Sequence, residues 1–225
     1  MRTFLRWIIP LAIILALTPF SIQLDLLIER YFFNPQGAFV YTPFNLFVYN
    51  YLAWITDAVM IGTVFVLLYS FATKKWKELR KPSLYLILVL AIGAGLIVHV
   101  ILKDHWGRPR PKQIEEFGGI QQYRAWYQPN FFDQPEPSKS FPCGHCSMGF
   151  FFFGVMILGD RLKKRWLYWT GLSLAIFLGV AFSYARMQQG GHFFTDTLFT
   201  ACIMWWTALG CDYLIFGAPN RETAY

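Results

Sequence analysis

The chain has 225 residues, 56% hydrophobic, 20% aromatic and 15% charged. Soluble domains carry roughly 25% charged residues, so an ordinary soluble globule is excluded and an all-α integral membrane domain is expected. The formal net charge is +7, but no basic helix, known binding module or soluble domain accompanies it, and nucleic acid is not an expected partner.

Bilayer-spanning helices need about 20 mostly apolar residues. In chain order the apolar blocks are 4–22, 52–71, 84–102, 148–159, 166–182 and 194–216. The fourth is short but can extend back toward His145. These predict a bundle of six transmembrane helices forming one domain over residues 1–225. Arg2 and Arg6 before the first block resemble a signal peptide, but no small-x-small cleavage pattern follows, and an uncleaved helix is expected.

Lys and Arg mark cytoplasmic loops. They cluster at Arg2 and Arg6, at Lys74, Lys75, Lys77, Arg80 and Lys81, and at Arg161, Lys163, Lys164 and Arg165, whereas loop 23–51 carries only Arg30. Alternation then places both termini in the cytoplasm and the third and fifth loops outside. The long stretch 103–141 becomes an outer-face loop. Its aromatic middle, with Phe117, Tyr123, Trp126, Tyr127, Phe131 and Phe132, reads either as an interfacial segment or as a lid on the bundle.

Three patches on those outer loops hold residues suited to phosphate chemistry. In the last, Arg186 is followed by His192 and Asp196 at the mouth of the sixth block. One turn of helix puts His192 and Asp196 on one face. A carboxylate so placed can orient the imidazole and leave its other nitrogen free to attack. An Asp inside an apolar helix is costly and implies a role. The middle patch, Pro142-Cys143-Gly144-His145, opens the fourth block, with backbone N–H groups and His145 facing one pocket. The first patch runs from Lys103 through Arg108-Pro109-Arg110-Pro111, whose prolines stiffen a segment able to fix a guanidinium on phosphate. Singly, each has a plain reading: a capping His, a Pro-Gly turn, a snorkelling Lys.

Together they resemble the type-2 phosphatidic acid phosphatase superfamily of integral-membrane phosphatases. Its signature is Lys-x6-Arg-Pro, Pro-Ser-Gly-His and Ser-Arg-x5-His-x3-Asp. Lys103, Arg110 and Pro111 match the first element, Pro142, Gly144 and His145 the second, and Arg186, His192 and Asp196 the third. Cys143 and Ala185 stand where the signature has Ser. A thiol is a poorer donor than a hydroxyl, so a modified phosphate pocket is expected, with the Cys143 backbone N–H retained and Arg108 as an additional ligand.

The resemblance implies a hydrolase with no cofactor and no metal. His192 attacks phosphorus, Asp196 supports it, and His145 protonates the leaving oxygen. A phosphohistidine forms and water hydrolyses it, while Lys103, Arg110 and Arg186 hold the equatorial oxygens. The implied partners are a phosphorylated lipid and the bilayer, with the active site on the periplasmic face of a bacterial inner membrane. Within the family the Pro-Cys-Gly-His-Cys variant most resembles bacterial lipid A 1-phosphatases. Undecaprenyl diphosphate or phosphatidylglycerophosphate hydrolysis, and phosphotransfer to a lipid acceptor, would use the same residues.

Cys143-Gly144-His145-Cys146 is also a Cys-x-x-Cys, the motif of thiol–disulfide oxidoreductases. Zinc binding by Cys143, His145 and Cys146 is another use of it. No soluble thioredoxin-like unit accompanies the motif, and the zinc ligands would be crowded into four residues.

Overall fold

The computed structural model describes residues 2–132 and 134–218. Among them the chain is helical, with two isolated β-bridges, Phe33 to Phe39 and Ile114 to Gln121. The elements are α1 (Arg2–Leu17), α2 (Ser21–Phe32), α3 (Pro43–Tyr51), α4 (Ala53–Thr73), α5 (Arg80–Leu88), a π-helix continuing α5 (Val89–Lys103), α6 (Gly144–Phe150), α7 (Phe152–Arg161), α8 (Arg165–Gln188) and α9 (Phe194–Phe216).

Five helical segments are long and apolar enough to cross a bilayer: Phe4–Phe32, Pro43–Thr73, Lys77–Lys103, Arg165–Gln188 and Phe194–Phe216. The first runs well past its apolar block. Pro19 interrupts α1 with a single 3-10 turn, and α2 continues to Phe32, carrying Asp25 and Glu29 inside the bundle. The fourth expected span is α6 and α7, joined at Phe151. It is shorter than the others because it is the centre of the bundle, with Phe151, Phe152, Met156, Ile157 and Leu158 all buried. Glycines permit its close approach to α8: Cβ atoms at Gly149 and Gly171 would collide with the backbone of the facing helix. Small residues serve this role where helix backbones meet in membranes.

The outer surface of the bundle is apolar, with Ile61, Phe65, Leu68, Phe71, Phe177, Val180 and Leu214 exposed. Arg108, Asp25, Asp196 and His192 are buried inside. That inversion suits a lipid solvent, in which polar groups must find partners internally.

Two ends of the bundle differ. At one, Arg6 pairs with Asp160 at 2.7 Å and Arg161 with Asp212 at 2.5 Å, tying α1 and α9 to α7. At the other lie the end of the π-helix, the starts of α6 and α9 and the end of α8. The 103–141 segment closes over that end as 3-10 turns and irregular chain. Phe117 is buried, Tyr123 meets Phe193 edge-on at 5.2 Å and Trp126 packs on Phe199 at 4.1 Å. Tyr127, Phe131 and Phe132 stay exposed. One half of the segment is therefore a lid, and the other presents aromatic rings outward.

Candidate active site

His192 sits in the loop between α8 and α9, where the Gly190-Gly191 turn returns the chain. Gly190 has φ 59°, the left-handed region, and a Cβ there would strike the Phe39 ring. The imidazole is 1% exposed. Its Nδ1 contacts the Ser140 carbonyl oxygen. A carbonyl only accepts, so Nδ1 carries the hydrogen and Nε2 is left with its lone pair. That Nε2 is buried with no hydrogen-bond partner. Burial pushes the His192 pKa down to about 3, Arg186 and Lys103 adding to the depression against the opposing pull of Asp196. Burial thus favours the neutral ring, with its Nε2 lone pair unshared.

Asp196 is on the same side, as its spacing predicts, but its Oδ2 stops 3.8 Å from His192 Nδ1. That oxygen accepts instead from Ser140 Oγ at 2.6 Å and from the Phe193 N–H at 2.8 Å. Its other oxygen takes Arg108 at 2.5 Å. Asp196 therefore reaches the imidazole through Ser140, whose hydroxyl it holds and whose carbonyl holds the ring.

Arg108 departs from its expected role. It is wholly buried, and its guanidinium is spent on the protein: Nε donates to the Arg124 carbonyl, one terminal nitrogen to Asp196 and Thr195, the other to Asp25 and Tyr123. Burial opposes its charge, but Asp196 and Asp25 raise its pKa above an already high value. No donor remains for a phosphate. Asp25 completes the cluster, accepting from the Thr195 N–H at 2.9 Å, the Thr195 hydroxyl at 2.7 Å and Tyr123 Oη at 2.9 Å.

The other cations converge as expected. The charges of Arg110 and Arg186 bear on Lys103, and those of all three on His145. Arg110 Nε and Arg186 Nε are buried without partners. Arg186 is braced by Gln189 at 2.5 Å and lies 5.0 Å above the Tyr49 ring. His145 stacks on the other side chain of that pair, Tyr49, at 4.3 Å. Gly144 lets two side chains close in: a Cβ there would lie 2.6 Å from His99 Nε2 and 3.1 Å from Lys103 Nζ.

Cys143 also departs from expectation. Its N–H donates to Thr200 Oγ1 at 2.9 Å, and its sulfur is bonded to Cys146. Neither its backbone nor its side chain is available to a phosphate. Both cysteines are completely buried. With the sulfurs joined, they are also not a thiolate pair for zinc. No His, Cys, Asp and Glu group suited to a metal occurs among the described residues.

Several residues here escaped the sequence reading. Asp25 lay in what read as a loop, although an acid in an apolar run was a signal. Ser140, Thr195 and Thr200 carried none. His99 stands four residues before Lys103, a spacing that was legible.

Residues 84–218 match the PAP2 superfamily. The chain belongs to the PAP2 superfamily. It is 34% identical over 210 residues to a lipid A 4'-phosphatase of Francisella tularensis subsp. novicida, a match covering 90% of this chain and 89% of the relative. Over 30 residues, 13% of the chain, it is 67% identical to a lipid A 4'-phosphatase of Rhizobium etli, a match covering 12% of that relative, and over 30 residues, again 13% of the chain, 63% identical to that of Rhizobium leguminosarum, covering 13% of it. No solved structure matches the chain. This PAP2 protein is a multi-pass membrane protein and a phosphate-hydrolysing enzyme.

Proposed function

We propose that the enzyme removes a phosphate from a membrane lipid, lipid A, through a phosphohistidine at His192. The observation that carries this is a set of buried nitrogens without partners, His192 Nε2, Arg110 Nε and Arg186 Nε, gathered with Lys103 at one end of the bundle. Unpartnered buried polar groups are costly, and three in one place fit an oxyanion that supplies what they lack.

His192 Nε2 attacks phosphorus as the bond to the lipid oxygen breaks. Bound phosphate offsets the charges of Lys103, Arg110 and Arg186 around His145 and lets its ring carry a second proton; His145 gives that proton to the leaving oxygen, and the lipid departs as an alcohol. Water then attacks the phosphohistidine, His145 takes the water's proton, and the nitrogen–phosphorus bond breaks to free inorganic phosphate. Lys103, Arg110 and Arg186 meet charge on the equatorial oxygens, the work that metal ions do in other phosphoryl transfers. Asp196 stabilises the imidazole from behind Ser140. The site faces the periplasm of a bacterial inner membrane, as the Lys and Arg bias supports, and the exposed aromatic rings of the 103–141 segment rest at the outer interface.

The relatives' names favour the 4'-phosphate of lipid A over the 1-phosphate expected from the Pro-Cys-Gly-His-Cys variant. The test is purified protein in detergent, without added metal, given bisphosphorylated lipid A, with products fragmented by mass spectrometry. Loss of the 4'-phosphate supports the proposal; loss of the 1-phosphate alone reassigns the position. Absence of any phosphate release, from lipid A, undecaprenyl diphosphate and phosphatidylglycerophosphate alike, removes the lipid phosphatase reading.

A further inference from the structure

One imidazole at the site has no part in the reaction above. His99 lies on the π-helix, four residues before Lys103, inside the span Lys77–Lys103. Its Nδ1 is 2.7 Å from the Ala94 carbonyl oxygen. The carbonyl can only accept, so Nδ1 holds the hydrogen and Nε2 presents a lone pair. Nε2 lies close against Gly144, as Lys103 Nζ does: a Cβ on that glycine would come within 2.6 Å of the first and 3.1 Å of the second. The ring is exposed on the flank of the bundle. It ends an otherwise apolar crevice of about 380 Å³, walled by Met60, Leu90, Ala94, Gly95 and Met148. A polar ring facing lipid is costly unless something polar meets it. His99 Nε2 is therefore an acceptor at the end of an apolar crevice, close to the Lys103 ammonium.

We propose, resting on the lipid phosphatase reading, that His99 is a specificity-determining contact. Its Nε2 accepts a hydrogen bond from a hydroxyl or amide N–H adjacent to the phosphate. The substrate class is then an amphiphilic phosphomonoester with a donor beside its phosphate, such as a lipid whose acyl chain is amide-linked. Diacylglycerol phosphate has no such donor.

Two lipids separate these cases with little else changed. Ceramide 1-phosphate offers an amide N–H and a hydroxyl; phosphatidic acid of matched chains offers neither. Wild type should have the higher kcat/KM on ceramide 1-phosphate. His99→Leu should lower that value about tenfold, the worth of one hydrogen bond, and leave phosphatidic acid unchanged. His99→Gln, which keeps an acceptor, should restore part of the preference. A second readout does not depend on turnover. In His192→Ala protein with ¹⁵N-labelled histidines, the His99 Nε2 resonance should move on adding ceramide 1-phosphate and stay put with phosphatidic acid. No movement with ceramide 1-phosphate, or unchanged discrimination in His99→Leu, overturns the proposal. Movement without phosphate release from any lipid by wild type keeps the contact and removes the phosphatase reading.

Discussion

Asp196 stops 3.8 Å short of the His192 imidazole, and Ser140 fills the gap. The serine carbonyl takes the Nδ1 hydrogen while its hydroxyl donates to Asp196 Oδ2. Imidazole and carboxylate, both from the last patch, are coupled through one residue that belongs to none of the three. Ser140→Ala keeps the carbonyl and loses the hydroxyl. It should fold normally and lose about tenfold in kcat, in keeping with one hydrogen bond of roughly 1 kcal/mol. Asp196→Asn should lose far more and melt earlier, since it also leaves Arg108 short of a charge partner. Phosphate release and thermal unfolding of both variants in detergent check this.

Arg108 and Arg110, two residues apart, should fail in opposite ways. Removing one partner of a buried ion pair costs about 3–5 kcal/mol, and Arg108 is 0% exposed between Asp25 and Asp196. Arg108→Ala should therefore express poorly or unfold early, and Asp25→Asn should move the same way less severely. Arg110→Ala should keep its melting temperature and lose roughly 10²–10³-fold in kcat, as when an oxyanion donor is removed. Equal melting temperatures for the two Arg variants would contradict the division of labour.

The pH dependence follows from His192. Its folded pKa of about 3 lies below its ordinary 6.5. The unfolded chain therefore takes up a proton near pH 6.5 that the folded chain refuses until about 3, and this group's contribution to stability falls as pH drops through that window. The His192 ring itself is expected to stay neutral through that window. In ¹⁵N-histidine spectra the resonances assigned through His192→Ala should show a neutral ring at pH 5. A ring half-protonated near pH 6.5 would be the contrary result.

The bonded cysteines give a fourth expectation. Cys143 and Cys146 close a four-residue ring inside the bundle, where the Cys146 sulfur accepts from the Ser183 hydroxyl at 3.7 Å. The double variant Cys143→Ser, Cys146→Ser should retain phosphate release within about tenfold, the Cys143 N–H still donating to Thr200. Complete loss of phosphate release, with thiol oxidation by the wild type, would return the pair to a redox role.

Much of this was legible from spacing. The apolar blocks located the helices, because a bilayer demands about 20 apolar residues whatever their order. Lys103, Gly144, His145, Arg186 and His192 were found from spacing and are brought together. What failed was the reading of polar residues as free ligands. Arg108 looked like a second phosphate cation because sequence shows its charge and not Asp25, 83 positions away. Asp25 was hidden because α2 carries the first span well beyond its apolar block, to Phe32. The Cys143 N–H looked available because its partner, Thr200, is 57 positions distant. Long-range hydrogen bonds leave no local pattern.

The most direct test is to trap the intermediate. Enzyme mixed briefly with ³²P-labelled lipid A is quenched in denaturant at alkaline pH, digested, and the labelled peptide sequenced. The account predicts label on His192, stable in alkali and released by acid, and none on His192→Ala protein. Turnover by His192→Ala, or label on another residue, would contradict it.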